Sequence, residues 1–286
     1  MNPISEPANS NKRTIRKSRF PHHLFIESYG VKIRFSSNDH AAIDMIKEML
    51  PNLLAGNYLL TSVVDAAHEF YYVWNKSERD SLYRDSEILT VRLPRENLFD
   101  QLQSVIRLTV AEFAVDRVFV HAGVVSWKGK ALVFPARSYM GKSTLTAELV
   151  RRGALYYSDE YAVFDKNGLV SPFPKMLSLR EEINNKTQID YPVEAFGGTV
   201  GTGAIPVGMV LLTEYKPNAR WKPRHLSSGN GLIEIMRDTI PIRNDPAFTI
   251  SVLNQVTKNS LIVQSPRGEA AKFTHRILKF FEDECL

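Results

Sequence analysis

The sequence holds a single cysteine in 286 residues, Cys285, beside the C-terminal leucine. An internal disulfide is excluded, and the expectation is a protein of a reducing, cytoplasmic compartment. No uninterrupted apolar run approaches the roughly 20 residues that a membrane-spanning helix needs, so no membrane association is expected. The first residues are polar and basic without an apolar segment, which argues against a secretory signal. Internal repeats and low-complexity tracts are missing. The His22-His23 pair lacks further ligands at metal spacing and reads as a loop.

Apolar residues make up 44% and charged residues 23% of the chain, ordinary values for a globular protein with ample core. The net charge of +5 is unevenly placed: Lys12, Arg13, Arg16, Lys17 and Arg19 stand against Glu6 before Phe20, leaving the remainder nearly balanced. No aromatic residues are interleaved with these charges. Residues 1–19 therefore read as a solvated, disordered basic tail, and nucleic acid is not expected as a partner.

Leu24 to Phe35 reads as two short strands around Tyr29-Gly30, and Ala41 to Leu50 as a helix stopped by Pro51. Phe70 to Trp74 and Ile88 to Leu93 read as strands, with Asn75 to Asp85 as a charged connection between them. Residues 20–95 thus form a small α+β module, and residues 96–286 a second domain. Asn97 to Ala114 is amphipathic, with Leu98, Leu102, Val105, Ile106, Val110 and Phe113 on one stripe. Val118 to Trp127 and Ala131 to Phe134 form a hairpin. A helix ending near Gly153 follows, then strands at 155–157 and 161–164 with a turn at Asp165 to Gly168. Residues 187–203, rich in glycine, read as irregular and mobile. Strands at 204–215 and 261–263 and helices at 231–238, 248–257 and 268–284 complete the chain.

The chemistry centres on Ala131 to Val150, ALVFPARSYMGKSTLTAELV. A buried strand, a tight loop, Gly141-Lys142-Ser143-Thr144 and a helix make the layout of a phosphate-binding loop. Backbone N–H groups of Ala136, Arg137, Ser138, Tyr139, Met140 and Gly141, with the N-terminus of the helix, are placed to bind phosphate oxygens. Lys142 would reach the β- and γ-phosphates, and Ser143 would ligate Mg²⁺. The pattern G-x-x-x-x-G-K-[ST] has Ala136 at its first position, where a methyl group faces the phosphates. Asp159 and Glu160 end the strand that follows the helix. A carboxylate there can hold Mg²⁺ or accept a hydroxyl proton. Arg243, in a turn before Asn244, could stabilise charge on a transferred phosphoryl group, and Arg137 and Arg180 are further cations without a spacing argument. His121 lies on the strand ahead of the hairpin and reads first as a hydrogen-bonded structural residue.

HAGVV, a turn, ALVFPARSYMGKSTL, then ELVRRGALYYSDEYAVF resembles the catalytic domain of HPr kinase/phosphorylase and its relatives. The matching pieces are His121, Gly141 to Thr144, Arg152-Gly153 and Asp159-Glu160, over about residues 118–164. The resemblance implies an α/β (α+β) fold with mixed sheets, similar to phosphoenolpyruvate carboxykinase, and a hexamer or other homo-oligomer. It also implies that Asp159 serves as base with His121 beside it, that Lys142 binds phosphate, and that Ser143, Asp159 and Glu160 serve the metal. Ala136 and Tyr139 stand where the family has glycines, and Glu160 replaces its second Asp. The glycine-rich stretch from Gly197 does not reproduce the segment linked to HPr recognition. These departures point away from HPr and towards stand-alone relatives that phosphorylate a serine of a peptide.

The expectation is an ATP- and Mg²⁺-dependent serine kinase acting on a peptide or protein. A nucleotide or phosphate sensor without transfer activity, favoured by Ala136 and Tyr139, and a kinase of a small-molecule hydroxyl are the alternatives.

Overall fold

The computed structural model describes residues 16–62, 65–135, 141–179 and 189–286. The chain divides into two compact units, residues 1–107 and 108–286.

The first unit is built on one mixed sheet. Its elements are β1 (His22–Ser28), β2 (Val31–Ser37), α1 (His40–Leu53), β3 (Leu59–Leu60), β4 (His68–Val73), β5 (Arg79–Arg84), β6 (Glu87–Pro94) and the start of α2 (Arg95–Phe113). The sheet order is β3-β1-β2-β4-β5-β6. β1 and β2 form a hairpin closed by Tyr29 and Gly30, both at positive φ, which matches the twist of a two-residue turn. β2 and β4 run parallel, so the chain must cross over between them, and α1 lies in that crossover. Asp39 caps α1 by accepting the Ala41 N–H at 3.0 Å. The helix was expected to stop at Pro51 but continues to Leu53. Proline removes one helical hydrogen bond and crowds the carbonyl four residues back, and α1 runs only two residues beyond it.

The charged connection expected between Asn75 and Asp85 is instead the site of β5, paired on both sides. Its one acid is satisfied internally. Asp80 is fully buried and accepts from the Tyr72 hydroxyl and from Arg95 Nε, both at 2.8 Å. Arg95 also donates to the Asn75 carbonyl and stacks on Trp74 at 3.6 Å. The start of α2 is thereby tied to the first unit, and the dividing point falls inside this helix rather than ahead of it. The basic tail expected through residue 19 gives way at Lys17–Arg19 to a 3-10 turn, whose Lys17 pairs with Glu69.

The second unit holds β7 (Val118–Trp127), β8 (Lys130–Pro135), α3 (Lys142–Arg151), β9 (Leu155–Ser158), β10 (Tyr161–Phe164), β11 (Val170–Ser171), β12 (Leu177–Leu179), β13 (Ile189–Tyr191), β14 (Val207–Tyr215), β15 (Arg224–His225), α4 (Ser228–Met236), α5 (Pro246–Asn259), β16 (Leu261–Arg267) and α6 (Ala270–Cys285). The main sheet runs β11-β10-β7-β8-β14-β16-β15, with β9 also on β7. β8, β14 and β16 are parallel, and β7 is antiparallel to β8. The expected hairpin of β7 and β8 is present. Part of the stretch 187–203, read as irregular, forms β13, which pairs with β12, and a 3-10 turn at Val193–Phe196.

Alternation along β8 sorts its side chains between two cores. Leu132 and Phe134 face a cluster with Leu145 and Leu149 of α3 and Ile277 and Phe281 of α6. Ala131 and Val133 face one with Ile235 of α4 and Val252, Leu253 and Val256 of α5. Helices therefore cover both faces, which is why β7 and β8 read as nearly continuous apolar runs. Gly123 of β7 lies opposite Phe134, whose ring would sit 2.0 Å from any Cβ at that position. This unit is a mixed-sheet α/β layer structure, as expected. Among the described residues no helix is long and apolar enough to cross a membrane.

Candidate functional site

The site assembles where β8 hands over to α3. Gly141 precedes the helix with φ of 75°, a left-handed conformation that favours glycine. Its carbonyl accepts the Leu145 N–H at 3.1 Å, the first bond of the helix. Lys142 and Ser143 follow in the first turn, whose N–H groups carry the positive end of the helix dipole. Thr144 is exposed on the same turn. Ala136, Arg137, Ser138, Tyr139 and Met140 lie outside the described residues, as does Arg180.

The acidic pair arrives from the neighbouring strands. β9 ends at Ser158 and β10 starts at Tyr161, so Asp159 and Glu160 occupy the tight link between them. The Ser158 hydroxyl shapes that link by accepting the N–H of Glu160 at 3.1 Å and of Tyr161 at 2.9 Å. The Ala122 N–H donates to the Glu160 carbonyl, which fixes the link against β7. Asp159 is 4% exposed, and the Ser143 side chain lies close enough to oppose the rise of its pKa. The acid is thus electrostatically coupled to Ser143 and Lys142 at the head of α3.

His121 comes from β7, opposite Tyr161 in the register with β10. Its N–H donates to the Asp238 carbonyl at 2.7 Å. Its Nε2 lies 3.3 Å from Lys142 Nζ. A charged lysine has only donors, so with Lys142 charged it is Nε2 that accepts. His121 therefore touches Lys142 as well as pairing within the sheet.

Electrostatics follow from burial. Lys142 is 8% exposed, and desolvation lowers its pKa, against the carboxylates of Glu160, Asp159 and Asp238, which raise it. Burial pushes the Asp159 carboxyl up to about 6, helped by Glu160 and opposed by Lys175, by the Ser143 hydroxyl and by Lys142. Burial thus works against the charged form of both Lys142 and Asp159.

The structure brings together Lys142, Ser143, Asp159, Glu160 and His121. It does not bring Arg243 to them by any described contact. That residue is exposed at the end of a 3-10 turn at Pro241–Arg243. Three residues were missed. Asp238 follows α4 and acts on Lys142 by charge. Lys175 is 6% exposed, acts on Asp159 by charge and donates to Ser178 Oγ at 2.6 Å. Arg267, at the end of β16, donates from Nη2 to the Gly141 carbonyl at 2.8 Å. All three reach the site through tertiary structure, and no local spacing announces them. Among the described residues no group of three or more His, Cys, Asp and Glu side chains is placed to hold a metal ion.

No family model matches the chain, and no curated protein matches it. Among solved structures, the Hpr(Ser) kinase/phosphatase from Coxiella burnetii is 14% identical and aligns over 58% of this chain and 88% of its own, with a TM-score of 0.33.

Proposed function

We propose that the second unit is an ATP-dependent kinase that transfers the γ-phosphoryl group to a hydroxyl, a serine of a peptide or protein. The observation that carries this reading is the burial of Lys142, at the head of α3 behind left-handed Gly141, together with Asp159, the two acting on each other by charge.

The residues fit a polyphosphate with Mg²⁺. Magnesium takes oxygen ligands, usually one or two carboxylates with phosphates and water, and Ser143, Asp159 and Glu160 offer that donor set. The ion would neutralise charge on the phosphates as it builds up. Gly141 and the first N–H groups of α3 would face phosphate oxygens. Lys142, costly to keep charged in its buried position, gains a compensating anion when the polyphosphate arrives. His121 holds the Lys142 ammonium in place meanwhile.

In the transfer, Asp159 takes the proton of the acceptor hydroxyl. The hydroxyl oxygen bonds to the γ-phosphorus, and the bond from that phosphorus to the bridging oxygen breaks to release ADP. A carboxyl titrating near 6 is ionised at neutral pH and still a competent base. Arg243 remains a candidate for charge stabilisation only if the acceptor draws it in.

Incubation with ATP, Mg²⁺ and serine-containing peptides, read by mass spectrometry, tests the proposal. One added phosphate on a serine supports it. Tight Mg-ATP binding with no transfer to any peptide or small hydroxyl compound would favour a sensor. No binding of ATP at all would remove the polyphosphate reading.

A further inference from the structure

The third parallel strand of the main sheet ends on a buried cation. Arg267 closes β16 and is 3% exposed. Because β8, β14 and β16 are parallel neighbours in that order, their C-terminal ends share one edge of the sheet. Arg267 stands on the edge from which the chain leaves β8 for α3.

The guanidinium reaches back into that handover. Nη2 donates to the Gly141 carbonyl at 2.8 Å, and Nη1 to the Gly268 carbonyl at 3.2 Å. The Tyr215 ring centre lies 5.8 Å from the guanidinium carbon. The Gly141 carbonyl thus has two donors, the Leu145 N–H and Arg267. In a trans peptide the carbonyl and the following N–H point in opposite directions. Gripping the Gly141 carbonyl therefore aims the Lys142 N–H away from the helix, off its N-terminal end. Gly141 makes room for this: a Cβ there would lie 2.6 Å from Nη2. The glycine is thus required twice, by its φ of 75° and by the arginine behind it. Burying a guanidinium is costly, and desolvation lowers its pKa here. A site that uses a fixed positive charge and a fixed peptide is where such a cost is offset.

We propose that Arg267 is the positioning residue of the polyphosphate site: it locks the Gly141–Lys142 peptide with its N–H facing the ligand and places a permanent positive charge behind the head of α3. This rests on the polyphosphate reading above.

The test compares wild type, Arg267→Met, Arg267→Lys and Arg152→Met by calorimetric titration with Mg-ATP and with inorganic tripolyphosphate plus Mg²⁺, alongside melting curves. Arg152 is the structural comparison. At the far end of α3 it donates to Thr274 Oγ1 at 2.5 Å and the Ala271 carbonyl at 2.9 Å, away from the site. Both methionine variants should melt lower. Only Arg267→Met should weaken both ligands, by about tenfold or more, the scale of one charge-assisted hydrogen bond. Arg267→Lys keeps the charge without the fork and should recover only part of the loss. It also serves if the methionine variant fails to fold. Wild-type affinity in Arg267→Lys and Arg267→Met, or an equal loss in Arg152→Met, overturns the assignment of Arg267 alone. A wild-type protein that binds neither ligand overturns the polyphosphate reading, and this inference with it.

Discussion

At the scale of single residues, the site is a balance between burial and charge. Lys142 and Asp159 are both withdrawn from water, and for both, burial outweighs the attraction of opposite charges. Lys142→Ala removes the side chain that meets the phosphates. Mg-ATP affinity should fall by about 3 kcal/mol, or roughly 100-fold. A titration showing unchanged affinity would remove Lys142 from the phosphate site. Asp159 leaves a signature in stability as well as in transfer. Its folded-state pKa of about 6 lies above the ordinary carboxyl value of 3.8, so the folded state binds the proton more tightly than the unfolded state does. Its contribution is then fully present below pH 3.8 and is lost as pH rises to about 6. Across that window the wild type should lose about 3 kcal/mol relative to Asp159→Asn. Urea unfolding of both proteins at several pH values measures it, and parallel profiles would show that the carboxyl is not perturbed. The same variant should abolish transfer while sparing nucleotide affinity.

At the scale of elements, β5 is the instructive case. RDSLYR reads as a connection because its charges suggest solvent, yet Asp80 is an internal anchor bridging Tyr72 and Arg95. Replacing one member of a buried pair strands the other. Asp80→Ala should cost about 3 to 5 kcal/mol, read by urea unfolding, with non-additivity against Arg95→Ala. Additive losses would mean that the two do not act as a pair. Much of the rest was legible. Continuous apolar runs marked β7 and β8, and the stripe of α2 and the Gly-Lys-Ser step before α3 marked those helices. The Ser-Asp-Glu step marked the acid, because the link between two short strands lies within a few residues. What lay hidden depends on distance along the chain. Arg267 and Lys175 have no motif around them, and only the folding of β16 and of the segment before β12 brings them to the site. Strand order in a mixed sheet is a property of pairing between remote segments, and single-segment patterns do not encode it.

At the scale of the whole molecule, every described residue assigned to the site belongs to the second unit, from His121 to Arg267. The single helix α2 carries the chain from one unit to the other. A ligand held wholly by the second unit stabilises that unit's folded form by mass action, about 2.7 kcal/mol at a hundredfold excess over Kd. Amides that exchange only when this unit opens should then exchange roughly 100-fold more slowly. Amides of the first-unit sheet exchange through their own opening and should keep their rates. Hydrogen exchange read by mass spectrometry, with and without Mg-ATP, separates the cases. Slowing confined to β7, β8, α3 and β9 places both the ligand and its effect in the second unit. Equal slowing in β1, β2 and β4 would mean that the two units open together, and slowing in neither would leave Lys142 without the anion its burial calls for.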